Sequence, residues 1–171
     1  MQNHFELFQL PPQFALDASA LDAAYRDVQS RVHPDKFVNA TAAEKRVAMQ
    51  WATRANEAYQ TLKNPQKRAQ YLCELNGADL QTESNTAMPM AFLMQQMEWR
   101  DELGDARAGK DLGALEALDQ QLRRERKTHL AEIEKQLDAG DFHAAAQSVR
   151  ALMFLEKFAE EVRFAFEAID A

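Results

Sequence analysis

His33 and Asp35 stand two residues apart in "RVHPDKF", residues 31–37, with Pro34 between them. An imidazole donates or accepts a hydrogen bond according to its tautomer. A carboxylate offers two oxygens that an arginine grips in bidentate fashion. Proton transfer, metal ligation and recognition of a partner's cation all use such a pair. Catalysis lacks a nearby nucleophile in sequence, and there is no glycine-rich phosphate loop, so an enzyme is not expected. A metal site would need further ligands. His4, His129 and His143 are scattered, and His129, in an apolar helical stripe, reads as a core-edge residue. Cys73 is the single cysteine, which excludes an internal disulfide and a thiolate-built zinc or iron–sulfur site. No metal or cofactor is expected. Two readings of the His-Pro-Asp stretch stay open: a recognition loop, or simply the end of a helix. Pro34 fixes a kink that turns the neighbouring side chains outward. Arg26, Arg31 and Lys36 add local positive charge to an acidic chain, a pattern that steers docking onto an acidic patch.

A second group lies in "MPMAFLMQQMEWRDELGDA", residues 88–106. On a helix, Phe92, Gln96, Trp99, Leu103 and Ala106 fall within an arc of about 80° and predict the packed face. Met90, Leu93, Met94 and Met97 fall on the other side, spread over about 100°. Glu98, Asp101 and Asp105 border this second stripe. Methionine adapts its shape to a partner, and a carboxylate rim favours a basic one, so the stripe reads as a protein-binding surface. The competing reading is internal: a helix between two modules can be buried on both sides. "RRERK", residues 123–127, sits mid-helix among acidic neighbours and reads as a solvated face rather than a nucleic-acid patch.

The elements that position these residues are all helical, and no strand pattern is visible. "HFELFQL" predicts a turn or two of helix ending at Pro11-Pro12. Asp17 reads as an N-cap, followed by Leu21, Ala24, Tyr25, Val28 and Val32 at helical spacing. Pro34 ends that helix near Val32 or His33. Thr41 and Glu44 form a T-x-x-E capping box. Val47, Trp51, Ala55, Ala58, Tyr59 and Leu62 then make one apolar stripe. Asn64-Pro65 opens a shorter helix that stops at Gly77. Residues 77–88 have few large apolar groups and no period, and read as a linker. Beyond it come helices over about 88–106, 112–137 and 141–169, joined by short connections, hence a three-helix bundle. The expected domains are 1–76, a linker at 77–88, and 89–171.

The net charge of −7 argues against non-specific nucleic-acid binding, which demands a basic face. No apolar run approaches the roughly 20 residues of a membrane span. "MQNHFELFQLPP" has neither the basic start nor the apolar run of a signal peptide. With one cysteine, a reducing, cytoplasmic setting is expected.

A helix pair joined by "HPDKF", with a short first helix and "NEAYQTLKNPQKRAQYL" downstream, resembles the J-domain over residues 1–76. That resemblance implies that His33, Pro34 and Asp35, helped by Lys36, Arg26 and Arg31, dock on a DnaK-class chaperone and stimulate its ATP hydrolysis. The Gly/Phe linker and cysteine-rich repeats of general DnaJ proteins are absent. The J-domain followed by a bundle carrying "FLMQQMEWRDEL" and "VRALMFLEKF" resembles the HscB family of iron–sulfur co-chaperones. This implies an HscA-type chaperone ATPase and an IscU-type iron–sulfur scaffold protein as partners. By motif, the scaffold-binding positions are Leu93, Met94, Met97, Glu98, Asp101, Asp105 and Phe154. Phe154 also lies off the early apolar face of its own helix. Asp101 and Asp105 are shorter than glutamates would be. Mitochondrial members often carry an N-terminal cysteine-rich zinc segment, which this sequence lacks. A J-domain protein for another client, or a helical protein whose HPD is incidental, are the rival readings.

Overall fold

The structure, a computed structural model, describes residues 2–78, 80 and 88–170. All regular elements among them are helices, which agrees with the all-α reading. They are α1 (His4–Leu7), α2 (Ala18–Val32), a 3-10 turn (Pro34–Phe37), α3 (Ala42–Lys63), α4 (Pro65–Leu75), α5 (Met90–Gly109), α6 (Leu112–Asp138) and α7 (Phe142–Asp170). The chain divides into two compact units, Met1–Leu72 and Cys73–Ala171, and the division falls inside α4. Of the stretch read as a linker, residues 79 and 81–87 lie outside the described residues.

Helix starts follow the capping chemistry of the sequence. The Asp17 carboxylate accepts from Ser19 and Ala20 N–H, Asn64 accepts from Lys67 N–H, and Asp111 accepts from Ala114 N–H. Thr41 Oγ1 accepts from Glu44 N–H at 3.1 Å, as the capping box requires. The return bond differs: the Glu44 carboxylate takes the Thr41 hydroxyl rather than its backbone N–H.

Four helix ends share one geometry. The residues at Gln9, Gly77, Lys110 and Gly140 have φ of 54°, 78°, 48° and 77°. In each case the following N–H reaches back five residues: Leu10 to Phe5, Ala78 to Cys73, Asp111 to Ala106 and Asp141 to Gln136, all at 2.9 Å. This is the left-handed C-terminal cap that satisfies otherwise orphaned carbonyls. Glycine suits it because it has no Cβ to clash. Gln9 and Lys110 occupy it against that cost. Gln9 also corrects one expectation: α1 ends at this cap, before the prolines. Replacing Lys110 by glycine should stabilise the second unit by about 1 kcal/mol, the penalty of a left-handed non-glycine residue. Urea denaturation of Lys110→Gly against wild type checks this.

In the first unit α2 and α3 are clamped by aromatic and polar contacts. Tyr25 stacks on Tyr59 with centroids 4.1 Å apart. The Tyr25 hydroxyl donates to Asn56 at 2.7 Å, and the Tyr59 hydroxyl to Asp22 at 2.8 Å. Leu21, Ala55, Ala58 and Leu62 are buried between the helices, with Phe5, Phe8 and Phe14 closing the core from the N-terminal side. The stripe predicted for α3 holds from Ala55 onward but not at its start. Val47 is exposed and Ala48 is buried in its place. One residue is a 100° turn of the helix. Near the loop α3 presents the small alanine, which lines a groove with Val32, Pro34 and Phe37.

His4 stacks on Tyr71 at 4.3 Å, and its backbone N–H donates to the Tyr71 hydroxyl. Burial lowers its pKa, against an opposing pull from Glu57. The unfolded chain therefore binds a proton at His4 more readily than the folded one. Stability should fall as pH drops through the free-histidine range, and the group contributes nothing above it. Urea titrations between about pH 7.5 and pH 5.5 should show this loss, and His4→Gln should flatten the slope.

In the second unit α5, α6 and α7 form the expected three-helix bundle, with α5 and α7 both antiparallel to α6. Trp99, Leu103 and Ala106 of α5 are buried, while Phe92 and Gln96 at the same face are half-buried. They meet Leu115, Leu118, Leu122, Ile133 and Leu137 of α6, and Val149, Leu152, Leu155, Phe158 and Val162 of α7, in one core. Arg150 is buried as well, within a run of four buried residues from Val149 to Leu152.

Candidate partner-binding surfaces

His33 ends α2 and caps the 3-10 turn that follows. Its Nδ1 accepts from the Asp35 N–H at 3.2 Å. An accepting Nδ1 leaves the proton of the neutral ring on Nε2. The same Nδ1 lies 3.5 Å from an Asp35 carboxylate oxygen, a contact that becomes an ion pair only on protonation. The cap is closed by the backbone of Asp35, so its carboxylate stays available: the side chains of His33 and Asp35 are 58% and 89% exposed. Pro34 at the first position of the turn supplies a φ suited to it and no N–H to satisfy. The HPD is thus both a helix end and an outward-facing loop.

Arg26, Arg31 and Lys36 are all exposed. Arg31 is paired with Asp27 at 3.1 Å, which softens its charge. Sequence reasoning missed what lies beside the loop on α3. Val32, Pro34, Phe37, Val38, Lys45 and Met49 line an open apolar groove of about 510 Å³. Its only charged wall is Lys45, and Val38 and Met49 are mostly exposed. The one signal near HPD in the sequence was Val38, a large apolar residue off the core stripes; Met49 stands fourteen residues beyond Asp35 and joins it only in the fold.

On α5 the second stripe lies opposite the packed face. Leu93 is 40%, Met94 57% and Met97 67% exposed, against 2% for Trp99. Met90, placed in the stripe but not among the expected contacts, is also exposed. Glu98, Asp101 and Asp105 are exposed beside them. Asp105 shares a shallow depression of about 330 Å³ with Glu102, Asp111 and Gln121. Two of these, Glu102 and Asp111, extend the acidic edge beyond the residues singled out in the sequence.

Phe154, on α7, is 46% exposed. The parallel register of α5 and α7 is fixed by Trp99 stacked on Phe158 at 6.0 Å, and by Arg100 paired with Glu161 at 3.2 Å. One turn back from Trp99 and Phe158 puts Phe154 level with Gln95, between the heights of Leu93 and Met97. On the helical wheel Leu93 and Met97 fall on the same side of α5 as Arg100, the side that meets α7. The strip therefore has an apolar flank shared by two helices and an acidic flank on the far side.

The basic run on α6 lies at the surface, with two of its cations paired. Arg123 pairs with Asp119 at 3.0 Å and Arg126 with Glu156 of α7. This agrees with a solvated face. His129 is half-buried, its Nδ1–H donating to the Glu125 carbonyl. Cys73 is buried and its thiol pushed up to about 11, mainly by burial. Among the described residues no group of three or more His, Cys, Asp or Glu is placed to hold a metal ion. No described helix is long and apolar enough to cross a membrane.

Residues 3–71 match the DnaJ domain, and residues 88–163 match the HSCB C-terminal oligomerisation domain. A protein of Burkholderia thailandensis named co-chaperone protein HscB homolog is 58% identical over 98% of this chain and 96% of its own length. The structure of chaperone HscB from Vibrio cholerae superposes with a TM-score of 0.86 at 39% identity, covering 98% of this chain and 99% of that one. Human co-chaperone protein HscB shares the fold, with a TM-score of 0.90 at 24% identity over 96% of this chain and 82% of the human one.

Proposed function

The chain belongs to the HscB co-chaperone family, and on that premise we propose that it is an adaptor between an iron–sulfur scaffold and a chaperone. The second unit binds an IscU-type scaffold through Leu93, Met94, Met97 and Phe154, with Glu98, Asp101 and Asp105 selecting a basic partner. The first unit engages an HscA-type chaperone through His33, Pro34 and Asp35, with Arg26, Arg31 and Lys36 steering the approach, and stimulates its ATP hydrolysis. The adaptor contributes position rather than chemistry: it holds the scaffold where the chaperone will act on it and carries no cluster itself.

The observation that carries this reading is the apolar strip on α5. Four large side chains lie exposed on the face opposite a complete core, so internal packing leaves them without a role. Exposed apolar surface of that kind marks a protein interface. The charge layout agrees, with cations on α2 at the loop and carboxylates on α5. Electrostatic complementarity of opposite sign at two surfaces sorts two partners to two places.

Reconstitution tests it. Calorimetric titration should give saturable binding of the scaffold, and the chain should raise the steady-state ATPase of an HscA-type chaperone. Stimulation without scaffold binding would make it a J-domain protein for another client. Absence of both scaffold binding and stimulation would refute the adaptor role.

A further inference from the structure

Three thioethers stand in a row on the outer face of α5. Met90, Met94 and Met97 follow one another at intervals of four and three residues, so they share one side of the helix. All three are mostly exposed. A leucine at each place would supply similar apolar area and comparable helix propensity, as Leu93 does beside them. What methionine adds is a sulfur atom. Its lone pair reacts with peroxides, and the product is a polar sulfoxide. The other described sulfurs of the second unit are poorly placed to compete for such a reagent. Met88 and Met153 are half-buried. Cys73 is buried, and a thiol pushed up to about 11 holds little of the thiolate that reacts with a peroxide. In the first unit Met49 is as exposed as the three on α5.

We propose that Met94 and Met97 are a reversible oxidation site, at which a hydroperoxide switches the scaffold-binding strip from apolar to polar. This rests on the reading of α5 as the scaffold-binding face and adds its regulation. The sulfur lone pair attacks one oxygen of hydrogen peroxide. The O–O bond breaks, an S=O bond forms, and the second oxygen leaves as water with both hydrogens. Sulfur loses two electrons and the peroxide gains them. Reversal takes two electrons and two protons from a dithiol, which becomes a disulfide, and the sulfoxide oxygen leaves as water. A sulfoxide oxygen only accepts hydrogen bonds. Against an apolar partner surface it is desolvated without a donor, and the neighbouring Glu98 and Asp101 carboxylates supply none. The two side chains already face solvent in the free protein, so the modification leaves the core of the bundle intact.

The test treats the adaptor alone with hydrogen peroxide, removes the peroxide, maps sulfoxides by peptide mass spectrometry and titrates the scaffold by calorimetry. With Met94 and Met97 oxidised, affinity should fall by about tenfold or more at an unchanged melting temperature. A dithiol-dependent methionine sulfoxide reductase should restore it. In Met94→Leu/Met97→Leu, whatever its starting affinity, peroxide should leave binding as it was, although Met49 and Met90 still oxidise. A second readout needs no variant: scaffold bound before treatment should slow oxidation at Met94 and Met97 relative to Met49, the internal reference. Unaltered affinity with both sulfoxides mapped would overturn the proposal and leave the scaffold reading intact. An equal loss in the leucine variant would also overturn it, by placing the sensitivity elsewhere. Absence of scaffold binding by the untreated wild type would overturn that reading, and this one with it.

Discussion

Asp35→Asn should bring stimulation of the chaperone's ATPase down to the basal rate while scaffold binding continues unchanged. The substitution keeps size and hydrogen-bonding capacity and removes one negative charge. Its effect on the fold should be negligible. The 3-10 turn is capped by the Asp35 N–H donating to His33 Nδ1, which asparagine retains. The carboxylate itself is 89% exposed. On the proposed docking reading, what is lost is a bidentate pairing with a cation on the chaperone. Truncating one partner of a desolvated charge pair costs roughly 2–5 kcal/mol, or some 30-fold to several thousand-fold in affinity. The ATPase titration with Asp35→Asn at matched circular dichroism reads this directly. Normal stimulation by the variant would remove the docking role from the HPD.

The second large effect is expected at the other surface. Leu93→Ala/Met97→Ala/Phe154→Ala should abolish measurable scaffold binding in a protein that melts as the wild type does. The three side chains are 40%, 67% and 46% exposed, so truncation leaves no core cavity of the kind that destabilises. In an interface each apolar anchor is worth about 1–2 kcal/mol, and together about a thousandfold in affinity. Asp35→Asn and this triple variant should then fail in complementary assays. A triple variant that binds normally would turn attention from the apolar flank to the acidic one. In that case binding would weaken steeply with salt, because exposed charges are screened within about 10 Å at moderate ionic strength.

The sequence carried the helices well because their starts are written in local chemistry. Asp17, Thr41 and Asn64 cap the helices they were expected to cap, and Asp111, not singled out in the sequence, caps α6 in the same way. Helix ends were less legible. Gly77 and Gly140 mark left-handed caps openly, whereas Gln9 and Lys110 adopt the same conformation with side chains that give no sign of it. The α5 strip was readable because one helix held two opposed apolar faces. Its completion by Phe154 depended on the register of α7 against α5, set by Trp99 and Phe158 across the bundle. The groove beside Pro34 was hidden for a related reason: Val38, Lys45 and Met49 come together only when the loop folds against α3. Likewise, the inner face takes Ala48, seven residues before Ala55 on the same side of the helix, where a hydrophobicity pattern favours Val47.

The parallel pairing of α5 and α7 has a consequence for when the protein becomes competent. Leu93 and Met97 are separated from Phe154 by 61 and 57 positions in the chain. Every residue of α6 must be made and folded back before the third anchor arrives beside the first two. A chain emerging from the ribosome, or one clipped ahead of Phe154, would carry the methionine strip of α5 without the phenylalanine proposed to complete it. On the proposed reading, full affinity for a scaffold would then require a closed bundle, because Leu93, Met97 and Phe154 come level only once α7 has packed beside α5.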